Sequence, residues 1–123
     1  MRPKPYTCGL EASLDLIDGK WKPRLLWVML KHDVKRFGEM RRHVKGITEK
    51  MLITSLKELE SDGVIERVDY HEVPLRVEYS MTAMGRSLIE TLLPLNDWGN
   101  ENMELVIEIV ARRGSAVSKK PRE

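Results

Sequence analysis

A chain of 123 residues has room for one domain, against roughly 100 to 200 residues per domain, and at that size a core can form without staples. Hydrophobic residues at 41% and charged residues at 33% argue against both a membrane protein and wholesale disorder. The net charge is only +2, which by itself names no partner.

No apolar run approaches the ~18 residues that a spanning helix needs. The stretch MRPKPYTCGLEASLD places charge and proline where a signal peptide needs apolar residues, so a cytoplasmic location with no membrane partner is expected. One cysteine, Cys8, and three scattered histidines, His32, His43 and His71, exclude an internal disulfide framework and a cysteine-rich zinc site. No cofactor or metal is expected. The small net charge hides a segregation: residues 20–50 carry ten bases and three acids. Such a segment points to a local anionic partner, most simply a phosphate backbone, or else to a solvated helical surface.

In chain order, residues 1–7 hold two prolines and no periodicity and read as a flexible arm. Leu10, Leu14 and Ile17 then recur at helical spacing, with Gly19 as a stop. Pro23 suits a first helical turn, followed by the stripe Leu25, Leu26, Met29 and Leu30. After a polar loop over 32–36, residues 37–44 give a short helix with Phe37 and Met40 inward and Arg41 and Arg42 outward, ending at Gly46.

Thr48 is a strong N-cap, flanked by Ile47 and Leu52 at the spacing of a hydrophobic staple. At 100° per residue, Met51, Leu52, Ser55, Leu56 and Leu59 share one face of the helix that follows, and Lys50, Ile53, Thr54 and Lys57 the opposite one. Asp62-Gly63 ends it. The period then changes to two over 64–70 and 76–81, two strands joined by a tip at 71–75 that holds Pro74. Thr82 caps a further helix with Met84, Leu88, Leu92 and Leu95 on one face, and Pro94 should kink or restart it near Leu93. Beyond it, Leu95, Trp98, Met103, Val106, Ile109 and Val110 form a stripe opposite Asp97, Glu101, Glu104 and Glu108. Residues 112–123 read as a disordered basic tail, which leaves 8–111 as one domain.

This order is that of a winged helix-turn-helix: mainly α with a small β-hairpin. The segments Cys8-Gly-Leu-Glu11, Gly19-Lys-Trp-Lys-Pro23, Phe37-Gly-Glu-Met40, Ile47-Thr-Glu-Lys-Met-Leu52, Leu59-Glu-Ser-Asp-Gly63, Val73-Pro-Leu-Arg-Val-Glu-Tyr79 and Thr82-Ala-Met-Gly-Arg86 together resemble the HxlR-type bacterial transcription regulators, a group similar to the MarR regulators. The resemblance covers Cys8 to Gly99. It departs from the family's pattern at Gly9 and Leu75, where proline is usual. It implies a homodimer built from the first and last helices, and a cysteine at the position of Cys8 that senses oxidants or electrophiles in many members.

A recognition helix must keep one face in the core and offer donors and small apolar groups to base edges in the major groove. Lys50, Ile53, Thr54 and Lys57 meet that requirement. Thr48 and the free amides behind it offer a phosphate site, and Arg41 adds an outward cation. His71 and Arg76 flank the hairpin tip, where a wing can reach the minor groove. Trp21 and Trp27 read as packing anchors rather than stacking platforms. Cys8 precedes a helix start, where unpaired amides lower a thiol pKa, with Arg2 and Lys4 near in sequence.

The expected function is thus sequence-specific binding of double-stranded DNA by a homodimer at a pseudo-palindromic operator, with Cys8 as a possible oxidant or electrophile sensor. The alternatives are a winged-helix protein-contact module and a ligand-sensing regulator in which Cys8 is inert. Neither a phosphate-binding glycine loop nor HExxH is present, so no enzyme is expected.

Overall fold

A computed structural model describes residues 6–33 and 35–119, with side chains as far as residue 114. Residues 1–5 of the expected arm and 120–123 of the expected tail lie outside the described residues. Two compact units emerge, one up to Ile89 and one from Glu90. No shift in composition marks that point in the sequence.

The first unit opens with α1 (Gly9–Ile17), whose last residue is buried. Then comes α2 (Lys22–His32), with Pro23 in its first turn. Leu25, Leu26, Val28 and Met29 of α2 are buried and Leu30 is only half-buried, so the inward face takes in Val28 in place of the expected Leu30. The short α3 (Phe37–His43) buries Met40. Residues 44–48 lead into α4 (Glu49–Ser61), and strands β1 (Ile65–Asp69) and β2 (Val77–Met81) follow. The strands pair antiparallel with Ile65 opposite Met81 and Asp69 opposite Val77. The amide of Tyr79 donates to the Lys35 carbonyl at 2.8 Å, tying β2 to the segment ahead of α3.

Two junctions fix α4 in this frame. At its start the Thr48 hydroxyl accepts the Met51 amide at 3.1 Å, while Ile47 and Leu52 are both buried, as a capped and stapled helix requires. At its end Gly63 adopts φ +78°, the Gly63 amide donates to Glu60, and the Val64 amide donates to Leu59. That is a Schellman motif, and its apolar partners Leu59 and Val64 are fully buried.

The start of α5 (Ala83–Glu90) is bonded to the same point. The Thr82 hydroxyl donates to the Gly63 carbonyl at 2.7 Å and accepts the Gly85 amide at 3.0 Å. Here the expected face is corrected. Gly85 and Ile89 point inward, whereas Met84 is exposed and Leu88 only half-buried. A side chain at position 85 would overlap the Val64 carbonyl, so glycine lets α5 approach the backbone at the α4–β1 junction.

The hairpin does not show the expected alternation of burial. Val64 and Ile65 are consecutive and both buried at its root, while Val68 and Tyr70 further out are exposed. A two-stranded ribbon leaves the core as it extends, so distance from the root outweighs the side-chain period.

The second unit contains α6 (Leu93–Glu101), with Pro94 in its first turn as expected, and α7 (Met103–Lys119). Asn102 separates them, and its side-chain amide donates to the Trp98 carbonyl at 2.9 Å. The helix running to Lys119 corrects the reading of 112–119 as disordered. Arginine, alanine and lysine are good helix formers, and extending an existing helix avoids the cost of nucleation.

Candidate nucleic-acid interface

The helix-turn-helix is α3, the turn over 44–48 and α4. Gly46 takes φ +88°, and the edge of the Trp21 ring lies 3.8 Å from where its side chain would project. Trp21 therefore packs against the turn, while Lys20 and Arg24 lie over its ring at 4.7 and 5.5 Å from the centroid. Burying Leu52, Ser55, Leu56 and Leu59 orients the rest of α4 outward. Lys50, Ile53, Thr54 and Lys57 are all exposed, on one side of the helix. Met51, expected inward, is exposed: it lies at the margin of the buried arc and borders a cleft shared with Trp21 and Lys22.

The structure also sorts the bases of the 20–50 segment. Lys22 is largely buried and lies 2.9 Å from Glu58, so it locks α2 to α4. Arg41 is exposed and lies 3.9 Å from Glu49, a loose pair of the kind that contributes little in water. Lys45, Lys50 and Arg42 stand at the surface around the same turn. The rings of His32 and His43 stack with centroids 4.6 Å apart, joining the ends of α2 and α3. No sequence signal pointed to that contact, because the two histidines are eleven positions apart on different helices.

The hairpin tip has a different character from the one expected. Arg76 lies 3.2 Å from Glu78 and 3.5 Å from Glu72, and its guanidinium sits over the Tyr70 ring at 3.9 Å. The hydrogen bond to Glu78 holds its pKa above the ordinary arginine value. His71 is exposed in the left-handed region at φ 54°, with its amide donating to the Asp69 carboxylate at 2.8 Å. The tip is thus a self-paired cluster.

Arg67, which the sequence reading passed over, is exposed on β1 opposite Tyr79. It shares with Lys57 and Ile53 a cleft of about 390 Å3 between α4 and the hairpin. Strand period alone could not single it out, because which strand face meets α4 depends on how the hairpin folds back.

Cys8 is exposed at the N-cap position of α1. The amide of Glu11, and after it that of Leu10, holds the thiol below its ordinary pKa. Just ahead of α1, the Thr7 amide donates to the Glu11 carboxylate at 2.9 Å, and the Tyr6 hydroxyl donates to Asp15 at 2.6 Å. Among the described residues no cluster of three or more His, Cys, Asp or Glu could hold a metal ion, and no helix is long and apolar enough to cross a membrane.

Set against known proteins, residues 16–106 match the family model described as HxlR-like helix-turn-helix. The uncharacterized HTH-type transcriptional regulator YybR of Bacillus subtilis (strain 168) is 43% identical over 104 residues, which is 85% of this chain and 82% of that one. Among solved structures, the redox regulator HypR in its oxidized form superposes with a TM-score of 0.70 at 46% identity, over 77% of this chain and 97% of that one. Its reduced form gives 0.73 at 42% identity, over 82% and 99%. These relatives, and the fold they share with this chain, are those of transcription regulators and not of enzymes.

Proposed function

The chain belongs to the HxlR-like helix-turn-helix family of transcription regulators, and from that premise we propose that it binds a pseudo-palindromic operator as a homodimer, reading bases with the outward face of α4. The observation that carries this reading is the division of α4: four core residues on one side, and Lys50, Ile53, Thr54 and Lys57 together on the other. Lysines supply donors for guanine or phosphate, and Ile53 and Thr54 supply methyl groups for thymine. Thr48 and the first amides of α4 meet a phosphate at the helix start, and Arg41 meets the backbone beside it. His71 and Arg76 extend the surface to the hairpin, with Arg76 entering only by leaving Glu72 and Glu78.

Dimerisation is supported by apolar surface left open in each unit taken separately. Leu10 and Leu14 on α1 are 67% and 49% exposed, and Leu95, Trp98 and Ile107 on α6 and α7 are 63%, 54% and 60% exposed. Cys8 is the sensor in this reading. Its thiol is accessible and held toward the thiolate by the amides of α1, and the redox regulator HypR is among the similar structures. As the sole cysteine, once oxidised it is resolved by Cys8 of a second subunit or by a small thiol.

Selection of bound sequences from random duplex DNA tests the reading. Enrichment of an inverted repeat with half-site centres about 34 to 36 Å apart is expected. Direct repeats, or no enrichment, would refute the two-fold arrangement.

A further inference from the structure

The cleft between α4 and the hairpin is lined by Phe37, Ile53, Lys57, Glu60, Arg67 and Tyr79. Each of its two walls brings one cation: Lys57 from α4 and Arg67 from β1. Among the described residues neither lies within 4.0 Å of a carboxylate, although Glu60 lines the same space, whereas Arg76 at the tip is held by two. We propose that Arg67 is a further DNA-facing cation of the hairpin, better placed than Arg76, and that Arg67 and Lys57 together grip one operator phosphate in this cleft.

The proposal rests on the duplex-binding reading above and adds to it a contact from a second element. Two uncompensated cations facing a concavity focus positive potential there. The guanidinium presents parallel donors that match phosphate oxygens, while the ammonium acts as a point charge. Ile53 and Lys57 belong both to this cleft and to the outward face of α4, so a DNA strand lying along α4 must pass the cleft. Arg76 is worse placed for the role: the carboxylates beside it compete for its donors and repel a phosphate that approaches.

The test uses the full chain and its selected operator, with single phosphates replaced in turn by neutral methylphosphonate linkages. Arg67→Ala should weaken operator binding about tenfold and by more than Arg76→Ala does, since it removes a backbone contact from each subunit. One neutral linkage per half-site should weaken wild type by more than it weakens Arg67→Ala, in which Lys57 alone still faces that phosphate. If Arg67→Ala lowers the melting temperature, Arg67→Gln carries the same comparison.

Lys50→Ala separates the two levels of the argument. Loss of affinity in Lys50→Ala with wild-type affinity in Arg67→Ala would overturn this inference and leave the recognition face standing. Failure of wild type to bind any duplex would remove both. A third outcome, in which benzoate raises the melting temperature through Arg67 while operator affinity ignores that residue, would assign the cleft to a small organic anion and overturn the proposal.

Discussion

Cys8 shows how little is needed to tune a side chain that stays in solvent. The charge on a thiolate is attracted by the amide dipoles of Glu11 and Leu10, which have no helical acceptor at the start of α1. The folded pKa is therefore lower than the unfolded one. The preference for the folded thiolate is present above the unfolded pKa and is lost as pH falls through the folded value. Alkylation by iodoacetamide should accordingly reach half its maximal rate at a lower pH in the native protein than in urea, where a value of about 8.5 is expected. Coincident profiles would return Cys8 to an inert role. Diamide should alter operator affinity in wild type and leave Cys8→Ser unaffected.

Gly85 makes the opposite case, a residue whose value lies in what it lacks. Alanine ordinarily strengthens a helix relative to glycine, but here the added carbon meets the Val64 carbonyl, and backbone cannot swing aside as a side chain does. Gly85→Ala should destabilise the protein by about 1 to 3 kcal/mol, the usual cost of overpacking, measured by urea denaturation. A gain in stability would mean that α5 does not sit so closely on the α4–β1 junction.

Among the elements, α4 is the one in which local signals and tertiary environment agree at every position but Met51. Its cap, its staple, its apolar face and its glycine stop could all be read from the sequence because each depends on neighbours within five positions. Leu56 is almost fully buried, so Leu56→Ala should cost roughly 2 to 5 kcal/mol. Thr48→Ala should cost about 1 kcal/mol through the lost cap. Lys50→Ala and Lys57→Ala should leave the melting temperature unchanged. Lysine variants that melt early beside a stable Leu56→Ala would mean that the two faces are exchanged.

Elsewhere the sequence was less informative, for physical reasons that differ by element. The break at Asn102 has neither proline nor glycine to mark it and depends on a side-chain bond to the Trp98 carbonyl. The continuation of α7 through Arg112 and Arg113 was hidden by a polar composition that suits a solvated helix as well as a coil. On α5, the inward position of Gly85 could not be foreseen, because a glycine carries no apolar signal. At the candidate site, the outward row on α4 was legible. The pairing of Arg76 with Glu72 and Glu78, and the placing of Arg67 beside Lys57, depend on how the hairpin bends and were not.

For the whole molecule, the near-neutral total charge is less informative than its arrangement. Acids pair with bases at Lys22 and at the hairpin tip, leaving Lys45, Lys50 and Lys57 around the helix-turn-helix with no carboxylate within 4.0 Å among the described residues. If each subunit neutralises four or five phosphates, log affinity against log salt should fall with a slope of about −7 to −9 for the dimer. A slope shallower than about −3 would place the basic segment off the DNA.

The central claim is that the outward face of α4 reads bases and does not merely hold the backbone. It is tested most directly by measuring the affinities of wild type, Lys50→Ala, Ile53→Ala and Thr54→Ala for every single-base variant of the selected operator. At least one of these substitutions should abolish discrimination at one symmetry-related pair of positions, a change of about 1 to 3 kcal/mol, and leave preference elsewhere intact. Uniform weakening across all variants, with every base preference preserved, would contradict it.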